Sequence, residues 1–239
     1  MKRTVILITM LMNLVIATQS HASLTVRGTD SLGNQLIYDS DLNVTWYDYT
    51  SKGPYGYGDT YANQVNWANN LSVSFNNTIY NGWRLAGTAT GPLTGNGYDG
   101  TGNYGYNVTS NELGHLYYVE LGNKGAYDKN GIYQVGMGLN NTGVFNNLSN
   151  YSYYWAGEFT PFSSDSAMFF YIGNGYLDTN TTTRFYYALA VLPGDVTPTP
   201  IPPSFLLMGS GLLGLVGFRK RGASKSYMQQ LSTRDLKSS

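Results

Sequence analysis

Two uncharged apolar stretches bracket the chain, and they confine the part able to fold as a water-soluble body to the residues between them. The first covers residues 5–17, after Lys2 and Arg3 and before Ser20-His21-Ala22-Ser23. A basic start, a short apolar run and small residues at the third and first positions before a cut form the pattern of a secretory signal peptide. Residues 1–22 are therefore expected to direct export through the Sec machinery. Signal peptidase would then cut between Ala22 and Ser23. The apolar run falls short of the roughly 20 residues that a spanning helix needs.

The second stretch is punctuated differently. A proline-rich linker, residues 196–203, leads into an uncharged run that ends at Arg219-Lys220-Arg221. From Ile201 to the first arginine the uncharged segment has 18 residues, close to the minimum for a bilayer at about 1.5 Å of rise per residue. Residues 204–221 are expected to form a transmembrane helix with a basic stop, followed by a polar cytoplasmic tail, residues 222–239. The cationic cluster marks the cytoplasmic end, which places the preceding domain across the membrane.

The combination of Ile201-Pro202-Pro203-Ser204, the apolar run and Arg219-Lys220-Arg221 resembles the PEP-CTERM sorting signal of Gram-negative bacteria. The motif here reads Ile-Pro-Pro-Ser in place of Pro-Glu-Pro, and the tail after the basic cluster is longer than is usual for the family. The resemblance implies that exosortase, a membrane-embedded transpeptidase-like enzyme, is a partner and cuts near the prolines. The protein would then be anchored transiently in the membrane before reaching the cell surface or an exopolysaccharide matrix.

Between these signals lies an exported domain, residues 23–195. It carries 6 basic and 13 acidic side chains, a net charge of −7, although the whole chain is formally neutral. A surface of that sign does not suit nucleic acid, whose partners present basic patches. Neutral polysaccharide, cations and proteins remain compatible. The chain has no cysteine, so disulfides, thiol nucleophiles and thiolate metal sites are excluded, and its only histidines are His21 and His115.

The exported domain reads as α+β, an antiparallel sheet with two helices. Residues 36–38 and 44–47 flank Asp39-Ser40-Asp41-Leu42-Asn43 as a hairpin with an Asx-rich turn. Ala62, Val65, Ala68 and Leu71 recur at helical spacing within residues 60–73. Thr109-x-x-Glu112 matches a capping box and predicts a second helix over residues 110–121. Aromatic segments at 152–156, 167–172 and 184–192 are separated by Gly, Asn and Asp, as strands are.

Three motifs, in order, resemble a domain family that includes the C-terminal domain of a bacterial collagen-like adhesin. They are LIYDSDLNVTW from Leu36, VNWANNL from Val65 with GWRL from Gly82, and SNELGHL from Ser110 with YYWAGE from Tyr153. The resemblance implies a C-type-lectin-like architecture and adhesion to glycan or matrix. Ala86-Gly87 stands where the family has Pro and Thr.

Asp39, Asp41 and Asn43 begin like a calcium loop, but Val44 and Thr50 occupy the positions of its glycine and its bidentate glutamate. No metal or other cofactor is expected, calcium at a looser Asp39/Asp41 site being the one open option. Two overlapping GxGxxG matches near Gly95 and Gly100 lack the strand-to-helix setting of a dinucleotide site. They lie in a Tyr-studded loop over residues 87–107, long enough to suggest a binding role. Tyr98, Asp99, Tyr104 and Tyr106 are the ligand-binding candidates there, with Tyr55 and Tyr57 in similar polar surroundings. The four tryptophans, inside apolar segments, are expected in the core. No catalytic residue is expected: Glu112 reads as a cap, Glu120 as a helix face and Glu158 as a carboxylate without a partner.

The sequence thus describes a non-enzymatic carbohydrate-binding or adhesive module. A structural matrix component without a discrete ligand, or a carboxylate-dependent hydrolase on the same scaffold, are the alternatives.

Overall fold

A computed structural model describes residues 24–87, 93–95, 97–160 and 163–196, with residues 158–160, 163 and 164 described by backbone only. The signal peptide with its Ala22/Ser23 cut, the sorting motif Ile201–Ser204, the transmembrane run, the Arg219-Lys220-Arg221 stop and the tail lie outside the described residues. Among the described residues no helix is long and apolar enough to cross a membrane.

Antiparallel sheets dominate, with two short helices, an α+β-like arrangement as expected. Strands β1 (Leu24–Thr29), β2 (Gln35–Asp39), β3 (Val44–Ser51), β6 (Arg84–Leu85) and β10 (Ala188–Pro193) form one sheet in the order β1-β2-β3-β10-β6. A second sheet orders β7 (Tyr153–Thr160), β8 (Ser163–Tyr171) and β9 (Tyr176–Thr181) consecutively. The sheets are sewn together where Trp155 N–H donates to the Tyr187 carbonyl and Tyr187 N–H to that of Tyr153, both at 2.9 Å.

Successive strand residues point to opposite faces, and here both faces are buried. Ile37, Trp46, Tyr154, Phe170, Leu189 and Val191 belong to one core. Their chain neighbours Leu36, Tyr47, Trp155, Phe169, Ala188 and Ala190 belong to another. This explains why the strands read as unbroken apolar and aromatic runs with little alternation of polarity. Trp46, Trp83 and Trp155 are fully buried, as expected, whereas Trp67 is only partly buried against the second core.

The expected β2–β3 hairpin forms, with Leu36 opposite Tyr47 and Asp39 opposite Val44. Its turn is held by the Asp39 carboxylate, whose Oδ1 accepts from the N–H groups of Asp41 (3.1 Å) and Leu42 (3.0 Å). At the far end of the domain Asp195 takes both Nε (2.8 Å) and Nη2 (2.6 Å) of Arg27, and Val196 is wholly buried. Packing therefore continues one residue into the segment read as linker.

Helix α1 runs Tyr61–Asn69, ending four residues short of the expected range 60–73. Asn70 stops it, its side-chain amide donating to the Asn66 carbonyl and carboxamide oxygen. The chain then enters a hairpin that the periodicity concealed. Strands β4 (Val73–Phe75) and β5 (Thr78–Tyr80) are joined by Asn76-Asn77, both at positive φ as a type I′ turn requires. Ala62 is exposed, and the inward face of α1 is Tyr61, Gln64 and Ala68.

The second helix is the larger departure. Only Glu112–His115 is α-helical (α2); Leu116–Glu120 widens into a π-helical turn, with Leu121 N–H bonded to the Leu116 carbonyl at 2.9 Å. The N-cap is Asn111, not Thr109, and its side chain accepts from Leu113 N–H at 2.9 Å. Glu112 does not close a capping box. Its carboxylate grips the Arg84 guanidinium at 2.6 and 2.8 Å and accepts from Gly87 N–H at 2.7 Å. The strand expected over residues 184–192 starts only at Ala188, residues before it making single bridges through Tyr186 and Tyr187.

Candidate ligand-binding surface

The loop after β6 is built by glycine and Asx geometry. Gly105 exchanges both backbone hydrogen bonds with Leu177 of β9, at 2.7 and 2.9 Å. It adopts φ +98, and a Cβ there would run into the Gly97 carbonyl. The Asn107 amide donates to the carbonyls of Tyr98 (2.7 Å) and Tyr127 (3.0 Å), tying the loop to the segment after the π turn.

These ties gather tyrosines. Tyr98 and Tyr106 lie parallel with centroids 6.1 Å apart, Tyr127 meets both edge-on, and Tyr176 tilts against Tyr106 at 4.8 Å. Two of the four predicted ligand residues thus come together, but largely face other rings. The other two serve their own loop: Asp99 accepts from Thr101 N–H and its hydroxyl, and the Tyr104 hydroxyl donates to the Gly95 carbonyl at 3.1 Å. Those bonds from Thr101 hold the Asp99 carboxyl below its ordinary pKa. Burial raises the phenol of Tyr106, with smaller contributions from Tyr127 and Tyr98. Burial and the neighbouring Asp178 push Tyr176 up to about 12.

A second aromatic group presents its faces to solvent. Tyr55 and Tyr57 stack at 5.8 Å and both contact Phe185; the three are 68%, 60% and 42% exposed. Phe185 and Tyr186 form a ridge between two recesses. On one side Tyr57, Tyr151, Ser152, Tyr153 and Tyr187 line a pocket of about 130 Å³. On the other, Thr181, Thr183 and Arg184 line a polar, open one. The ridge is rigid at its base: Tyr186 stacks on Tyr153 at 5.0 Å, Trp155 lies 4.6 Å from Tyr186, and the Asn180 amide donates to the Tyr186 hydroxyl at 2.8 Å.

Tyr55 and Tyr57 were legible in the sequence as tyrosines in polar surroundings. Phe185, Tyr151 and Tyr153 were missed because each sits in or beside a segment read as a strand. The signal available was the cluster Thr181-Thr182-Thr183-Arg184, which is polar enough to interrupt that strand.

A third grouping is ionic. His115 Nε2 lies 3.3 Å from Glu120 Oε1, and one ligating atom each of Asp39, His115 and Glu120 lie within 4.8 Å of one another. Glu120 is therefore no solvent-facing helix residue; its side chain is 2% exposed. Burial raises its pKa, the nearby Asp39 raises it further, and His115 opposes both. Asp41 is exposed and outside this group. The side chain of Glu158 lies outside the described residues.

Comparison of the chain with protein families, with curated proteins and with solved structures returns no match.

Proposed function

We propose that this is an exported protein of the cell surface or exopolysaccharide matrix, sorted by exosortase, whose lectin-like domain binds neutral polysaccharide without catalysing its cleavage. The observation that carries the binding part is the Phe185–Tyr186 ridge with an aromatic recess on one side and a polar one on the other. A pyranose has an apolar face and an equator of hydroxyls. The first stacks on an exposed ring; the second takes hydrogen bonds from Thr and Arg side chains. The −7 charge of the exported domain favours a neutral chain over an acidic one.

The full chain in detergent micelles, passed over immobilised dextran, amylose and cellulose, tests this. Retention on at least one, weakened about tenfold in Phe185→Ala, is the expected result, since a well-stacked ring contributes about 1.4 kcal/mol. No retention on any, or retention unchanged in the variant, refutes the ridge as a glycan site. The sorting part has its own test in the intact mass of the extracellular protein. Loss of residues 1–22 and of everything after about Pro203, dependent on exosortase, is expected.

A second reading, a matrix component that associates with itself, is favoured by one feature. Ile132, Tyr133, Val135 and Met137 are all exposed within six residues, Val135 by 88%. Concentration-dependent sedimentation abolished by Val135→Ser, with no glycan retention, would favour it.

A further inference from the structure

Asp39, His115 and Glu120 come from the end of β2, from α2 and from the end of the π turn. The π winding is what joins the last two. Its hydrogen bonds run from residue i to i+5, so residues five apart come into register, and His115 and Glu120 are five apart. In a continuous α-helix that spacing would carry Glu120 round to another side.

The result costs stability as it stands. Two carboxylates share a space within 4.8 Å, Asp39 wholly buried and Glu120 nearly so. Like charges removed from water repel strongly. The Asp39 Oδ1 accepts from two turn N–H groups and Oδ2 from the indole of Trp46 at 3.2 Å, which leaves one lone pair, on Oδ2, for a further partner. Among the described residues, the Glu120 carboxylate has one hydrogen-bond partner, His115. A buried carboxylate with a single imidazole partner, aimed at a second carboxylate, is short of positive charge.

We propose that Asp39, His115 and Glu120 bind a divalent first-row transition metal ion, zinc-like in preference, that pins the β2–β3 turn to the π turn. Tetrahedral zinc with bonds of about 2.0–2.2 Å sets its ligand atoms about 3.4 Å apart, and His115 Nε2 and Glu120 Oε1 are already 3.3 Å apart. An imidazole in the set selects against calcium and magnesium, which take oxygen ligands. Three protein ligands leave a fourth position for water or another ligand. The site stands independently of glycan binding.

Zinc sulfate is added to the full chain in detergent micelles, stripped with chelator and carrying no histidine tag. We expect one zinc per chain to survive desalting. X-ray absorption should show one nitrogen and at least two oxygens at about 2.0–2.2 Å. Glu120→Gln and His115→Gln should each weaken binding at least 10- to 100-fold and remove the zinc-dependent rise in melting temperature. A wild-type chain that retains no zinc overturns the proposal, as does an all-oxygen shell. Zinc affinity unchanged from the parent chain in either variant overturns it too.

Discussion

Two groups of tyrosines, similar in number and both flanked by Gly, Asn and Thr, have opposite fates. Around Tyr106 the rings close on one another, with Tyr98, Tyr127 and Tyr176 within 6.1 Å of it. Around Phe185 they stay open, Tyr55 and Tyr57 stacking in solvent. The difference lies in the backbone. The first group is drawn together by the Gly105–Leu177 bridge and the Asn107 amide, so its rings turn toward one another while Tyr98 keeps 40% exposure. The second rises from a ridge whose underside is already filled by Trp155 and Tyr153. Rings over a filled base have nowhere to go but outward. The first group accordingly holds the loop in place, and the second has faces left for a ligand.

The largest effect expected from this comparison is alkaline. Burial holds Tyr117 and Tyr154 at about 12, like Tyr176, and raises Tyr106, Tyr171 and Tyr186. A phenol whose pKa is raised by folding contributes fully below its unfolded value near 10. That contribution disappears as the pH rises through the folded value. Circular dichroism should show a cooperative loss of structure between pH 10 and 12, accompanied by phenolate absorbance at about 295 nm. Ionisation complete by pH 10.5 with the fold intact would contradict the burial of Tyr117 and Tyr154 and the packing around Tyr106 and Tyr176.

Tyr106→Ala comes next. Removing the ring at the centre of the closed group should cost about 2–3 kcal/mol in denaturant unfolding and leave polysaccharide retention unchanged. Glu112→Gln should cost about 2 kcal/mol, because it removes the charge facing Arg84 and weakens the tie to Gly87 where the loop begins. Smallest in stability is Phe185→Ala, expected within about 0.5 kcal/mol of the parent.

Much of the framework was legible because it follows from local chemistry. The β2–β3 hairpin was readable from Asp39-Ser40-Asp41, and the burial of Trp46, Trp83 and Trp155 from their apolar neighbours. What was not legible depends on long-range partners. Nothing local indicates that Glu112 faces Arg84, 28 residues earlier, and the capping-box spacing pointed to a different role. The β4–β5 hairpin was hidden because Leu71 extends the helical rhythm past Asn70. The π turn is invisible to a 3.6-residue period, so Glu120 read as a surface residue although its side chain packs against His115. In the binding surface, Tyr55 and Tyr57 could be found from composition, but Phe185 could be recognised only once the ridge beneath it was in place.

Ring-on-ring packing divides a holding group from a binding group, and one crossed measurement tests that division. Tyr106→Ala and Phe185→Ala are each assayed for unfolding free energy and for retention on the polysaccharide that holds the parent chain. Tyr106→Ala is expected to lose stability and keep retention, while Phe185→Ala is expected to lose about tenfold in retention and keep stability. Loss of retention in Tyr106→Ala with Phe185→Ala unchanged would contradict it and move the ligand to the loop of Tyr98, Asp99, Tyr104 and Tyr106.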